Sequence, residues 1–121
     1  MTRPILEESR VHKAIRQTIA DNNIDIIHQV EAAIASNAIV IVGMAQNPVP
    51  KKARKLLDGL GIKYMYLEYG SYFSLWRRRN ALKMWCGWPS FPMIFVKGTL
   101  IGGANDLQAL VDKAELMEML K

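Results

Sequence analysis

The sequence predicts a single α/β domain in which helices cover a mixed four-stranded sheet, preceded by an extra N-terminal helix. Three observations predict it. Ala38 to Val42 is an unbroken β-branched run with the character of a strand covered on both faces. It is followed by a helical stretch and a second strand-like stretch, and a parallel return needs such a crossover. Near the C-terminal end, Met93 to Val96 and Leu100-Ile101 are two short apolar pieces separated by Lys97-Gly98-Thr99, the pattern of an antiparallel hairpin.

In chain order, Glu7 to Ala20 places Val11, Ile15 and Ile19 at helical spacing, with Arg10, Lys13 and Arg16 elsewhere on the wheel. This predicts an amphipathic helix with a modest apolar stripe, docked on its own domain in preference to a partner or a membrane surface. Asp21-Asn22-Asn23 reads as its stop and as the entry to a second helix carrying Ile26, Ile27, Val30, Ala33 and Ile34, which ends near Ser36-Asn37. The first strand closes at Gly43. Lys51 to Leu60 sets Ala53, Leu56, Leu57 and Leu60 on one helical face, with Gly59 and Gly61 as terminators, and Ile62 to Glu68 is the second strand. Ser71 is a candidate cap for a helix running through Met84. After the hairpin, Gly102-Gly103 ends the last strand, and Asn105 or Asp106 caps the first of one or two closing helices.

Composition narrows the function classes. The chain has 121 residues, half of them hydrophobic, enough for one real core without covalent staples. No apolar run reaches membrane-spanning length, and the N-terminal stretch lacks the uninterrupted apolar core of a signal peptide, so the expected location is the cytoplasm. A net charge of +5 favours anionic partners only weakly. The one cysteine, Cys86, rules out an internal disulfide, and two scattered histidines give no metal-ligand spacing.

The run Trp88 to Leu107, WPSFPMIFVKGTLIGGANDL, carries a further signal. Pro92 stands at the mouth of a strand whose backbone it cannot serve as a donor, and a proline there marks a tight turn open to a cis bond at Phe91-Pro92. Together with the hairpin and the glycine-led helix start, the run resembles the second half of a glutaredoxin, with Ser90-Phe91-Pro92 in place of a T-x-P element. The resemblance covers residues 24–121 and leaves residues 1–23 as an N-terminal helical extension. It implies a thioredoxin-like, three-layer α/β/α sandwich. It also implies a groove in which glutathione lies along the proline strand, meeting the Phe91 backbone and Pro92, the Arg79-Asn80 pair at one end, and Asn105 and Asp106 at the other.

Aligned on the resemblance, the loop Gly43 to Pro50 departs from the family at the catalytic positions. Asn47 stands at the nucleophile, Pro50 at the second cysteine, and Met44 where a basic residue is common. An amide has no ionisable proton and cannot attack a disulfide as a thiolate does. Three function classes follow. The first is a glutaredoxin-like protein that has lost thiol–disulfide exchange and retains weak binding of glutathione or a peptide. The second is an oxidoreductase working through Cys86, whose bland reading is a partly buried small side chain. The third is a basic protein-interaction module built on Trp76, Arg77 to Arg79, Trp85 and Trp88. No nucleic-acid motif is present, no membrane partner is expected, and an iron–sulfur cluster is not expected without the nucleophile.

Overall fold

The computed structural model describes residues 3–45, 48–70 and 75–121. Strand β1 (Ile39–Gly43) pairs in parallel with β2 (Met65–Glu68) and antiparallel with β3 (Met93–Val96), which pairs antiparallel with β4 (Thr99–Gly102). The sheet order is therefore β2-β1-β3-β4. Every residue of β1 is buried, and the pleat divides them between two cores. Val40 and Val42 join Ile26, Val30, Leu82 and Phe95 on the side of α2 (Ile24–Ser36) and α4 (Trp76–Cys86). Ile39 and Ile41 join Ala53, Leu57, Ile94 and Leu107 on the other side, under α3 (Pro48–Gly59) and α5 (Ala104–Asp112). The unbroken β-branched run thus reflects a strand with no solvent face, and the three layers are those the sequence predicts.

The β3–β4 turn places Lys97 and Gly98 at φ 51° and 80°, the paired positive angles whose twist matches antiparallel strands. A register shift follows, because Ile94 pairs with Gly102 while Phe95 pairs with Leu100, leaving Ile101 unpaired between them.

The second strand starts at Met65 and not at Ile62, and four helix boundaries also differ from the sequence reading. The expected helix over residues 7–20 is a 3-10 turn at Glu8–Arg10 followed by α1 (Lys13–Asp21), broken where Val11 is extended and restarted by His12, whose Nδ1 accepts from the Ala14 N–H at 3.0 Å. Two isoleucines one turn apart are too narrow a stripe to seat it: α1 has no buried side chain, and Ile15 and Ile19 are about half exposed. Helix α3 begins at Pro48, earlier than Lys51, because both prolines then fall in the first turn, where backbone N–H groups lack helical partners. Helix α4 begins at Trp76 with Leu75 in the cap position, and Ser71 lies outside the described residues. Helix α5 is entered through Gly103, so Asn105 and Asp106 are inside its first turn and neither is its cap residue. Glu115–Leu120 forms the closing helix α6.

Candidate functional site

The chain ends of β1 and β4 and the start of β3 meet at one end of the sheet. Past the last ladder pair, the Tyr69 N–H donates to the Gly43 carbonyl at 2.9 Å and the Ala45 N–H to the Gly70 carbonyl at 2.7 Å, so the β1–β2 pairing continues into the loop that leads to α3. Val42 faces Met93 across the antiparallel ladder, which sets Phe91-Pro92 beside that loop. The Phe91-Pro92 peptide is cis, and both residues are buried.

Gly102 and Gly103 let a helix start approach this proline. Gly102 has φ 112°, and a Cβ on it would lie 2.5 Å from the Asp106 Oδ2. That same oxygen accepts from the Gly103 N–H at 2.9 Å and satisfies an otherwise orphaned donor at the α5 N-terminus. A Cβ on Gly103 would sit 3.6 Å from the Pro92 carbonyl and 3.9 Å from the Trp88 ring. The Trp88 Nε1 is buried with no hydrogen-bond partner among the described residues.

Of the residues singled out from the sequence, Phe91, Pro92 and Asp106 gather here, with Asn105 exposed beside Asp106 on the first turn of α5. Arg79 is buried, and its Nη1 donates to the Tyr69 carbonyl at 3.1 Å, so it holds the backbone beneath the loop; Asn80, next along α4, is exposed. Met44 is a core residue, packed in the same cluster as Phe91 and Met93. Pro50 is buried, with its Cγ 2.9 Å from where a Gly43 Cβ would be, so this proline packs flat on the end of β1. Asn47 lies outside the described residues. The sequence reading names Trp88 and Gly103 without placing them against each other or against Pro92, and it passes over Tyr69. Glycine pairs signal a close approach but not what approaches, and the role of Tyr69 is played by its carbonyl, which every residue possesses.

Cys86 closes α4 beneath the start of β3, and its Sγ donates to the Met93 Sδ at 3.6 Å. Burial pushes its pKa up, opposed by backbone N–H groups of Trp88 and Cys86 and by the Arg3 charge. The nearby cation is thus Arg3, whose guanidinium lies over Gly87, and not Lys83 or the arginines of α4. Since alkylation proceeds through the thiolate, the raised pKa moves its rise with pH above that of the same thiol in the unfolded chain. Iodoacetamide should therefore modify native Cys86 more slowly than urea-unfolded Cys86 at one pH, with the native rate still climbing where the unfolded rate has levelled. Equal rates in the two states would contradict this placement.

Among the described residues, no three His, Cys, Asp or Glu side chains gather as a metal site, and no helix is long and apolar enough to cross a membrane. A family profile described as Glutaredoxin matches residues 39–101. The chain is 46% identical over 97 residues to a "Glutaredoxin-like protein" of Dictyostelium discoideum, covering 80% of this chain and 79% of that relative. It is 31% identical over 87 residues to a "Glutaredoxin" of Ricinus communis, covering 72% and 85%. Among solved structures, a buckwheat glutaredoxin–glutathione complex superimposes with a TM-score of 0.70 at 21% identity, over 83% of this chain and 91% of that one. Oxidised glutaredoxin 2 from Chlamydomonas reinhardtii gives 0.69 at 25%, over 82% and 94%.

Proposed function

Because this chain belongs to the glutaredoxin family, we propose that it is a member without thiol–disulfide exchange, which holds glutathione or a similar anionic peptide weakly at the Phe91-Pro92 end of its sheet. One observation carries the loss of catalysis. The loop from β1 to α3 contains no cysteine, and the chain's one thiol is instead half-buried at the end of α4, facing a methionine sulfur. Exchange needs a thiolate able to reach a disulfide in line, and Asn47 and Pro50 supply none. The domain that binds is residues 24–121, with residues 1–23 as an extension, and the expected setting is the reducing cytoplasm.

Binding is supported by what the site keeps. The Phe91 backbone and the first turn of α5 lie at the β3 start, the Asn80 amide is exposed on α4, and a helix N-terminus favours a carboxylate. Asp106 sits where an ammonium group of the ligand would be met, although one of its oxygens already serves the Gly103 N–H. Arg79 supports the groove from below through the Tyr69 carbonyl. The buckwheat neighbour, a glutathione complex of the same fold, is in keeping with this reading. Without a covalent bond and with Met44 in place of a cation, affinity is expected near millimolar, about 4 kcal/mol.

Backbone NMR during a titration with reduced glutathione tests this. Shifts centred on Asn80, Phe91, Asn105 and Asp106, weakened by added salt, are expected. No shift at these residues at millimolar glutathione would leave the scaffold as a protein-interaction module.

A further inference from the structure

On the α2–α4 side of the sheet, two adjoining depressions share Trp85 and Glu31 as lining residues and make a trough along the seam between the helices, reaching Cys86 at the end of α4. One part, about 500 Å³, is walled by Ile34, Ala35, Phe95 and Leu100; the other, about 350 Å³, by Ile24, Ile27, Ala81 and Met84. Glu31 is the one charged side chain in either lining, and it makes no hydrogen bond or ion pair among the described residues. At its end lies α1, whose Ile19 and Ala20 line the second part. Ile19 of α1 and Met84 and Trp85 of α4, exposed by 51%, 68% and 36%, line the second part together, and Ile15, one turn before Ile19, is exposed by 50%.

The trough asks for an apolar segment with one cation opposite Glu31. A second acidic partner would be repelled there, and a wholly apolar one would strip water from Glu31 without replacing it. This chain carries such a segment on its own surface. Helix α1 presents Ile15 and Ile19 with Arg16 beside them and Lys13 one turn earlier, and buries no side chain on its own domain. The segment and the trough adjoin, so one two-fold axis can bring both pairs together, which is the self-complementarity an isologous dimer requires.

We propose that the α2–α4 trough is the docking surface for a second copy of this chain, the Ile15–Ile19 edge of α1 from each copy seating in the trough of the other with Arg16 facing Glu31. The surface is separate from the glutathione reading, and either stands if the other fails.

Sedimentation velocity of the full chain over a micromolar to millimolar series tests it. The wild type is expected to show a concentration-dependent dimer. Ile15→Ser with Ile19→Ser should abolish it while leaving the circular dichroism and thermal midpoint of the domain nearly unchanged, since neither side chain is buried. Glu31→Lys and Arg16→Glu should each weaken self-association about tenfold, through like charges at both contacts. Mixed in equal amounts, these two variants should associate at the wild-type level, because each then meets the opposite charge. A wild type that stays monomeric overturns the proposal, as does a dimer indifferent to the isoleucine variant. So does a monomer that floats with anionic phosphatidylserine vesicles through Ile15 and Ile19, which would assign this face to a bilayer. Failure of the mixed variants to recover would refute the Arg16–Glu31 contact.

Discussion

Gly102→Ala is expected to lower stability by about 2 to 4 kcal/mol, combining backbone strain at a left-handed position with damage to a helix cap. The angle of φ 112° is one that side chains with a Cβ rarely adopt, and the new methyl would meet the Asp106 carboxylate 2.5 Å away. Asp106 cannot withdraw without releasing the Gly103 N–H it caps. Urea unfolding followed by circular dichroism reads the effect as a lower midpoint at unchanged slope. The damage is centred on the α5 start, so amide exchange at Gly103 and Asp106 should accelerate more than at β1. A variant as stable as the wild type would show that Gly102 is not held by Asp106.

Leu107→Ala is expected to cost about 2 to 5 kcal/mol, the range for removing a fully buried leucine from a packed core. Leu107 has no exposed surface and joins Ile39, Leu57 and Ile94, fixing α5 to the sheet directly after the residues assigned to the ligand. Alanine is the better helix former, so the whole loss belongs to packing and the cavity. Against a typical total of about 5 to 15 kcal/mol this is a large fraction, and calorimetry should show a thermal midpoint lower by many degrees. A loss below about 1 kcal/mol would mean that α5 is not anchored through this side chain.

The parts of the fold legible from sequence are those where one pattern has one physical solution. An unbroken β-branched run such as Ile39 to Val42 must be covered on both faces, and the strand–helix–strand lengths permit little but a parallel return. The hairpin limits were legible because Lys97-Gly98 tolerates the positive angles its turn requires. The α5 entry was misjudged because asparagine and aspartate are better caps than glycine, yet the bulged β4 delivers the chain to the helix through Gly103, and Asp106 caps from inside the first turn. For α1 the spacing was right and the depth wrong, since periodicity reports which face is apolar and not whether the domain covers it.

The site was legible in its elements more than in its roles. Pro92 and the glycine pair were visible by residue type, whereas Arg79, read as a ligand-binding cation, lies buried against a carbonyl whose position depends on the end of β2. The placement of Cys86 against Met93 joins the end of a helix to the start of a strand, and no local pattern announces it.

Glutathione-coupled reduction of a small mixed disulfide, assayed on protein free of contaminating oxidoreductase, tests the central claim most directly. Wild type and Cys86→Ser should both give the rate of the uncatalysed reaction, because no thiol stands in the β1–α3 loop and the remaining one is half-buried with a raised pKa. Turnover by the wild type that disappears in Cys86→Ser would contradict the account and make Cys86 the nucleophile of an active oxidoreductase.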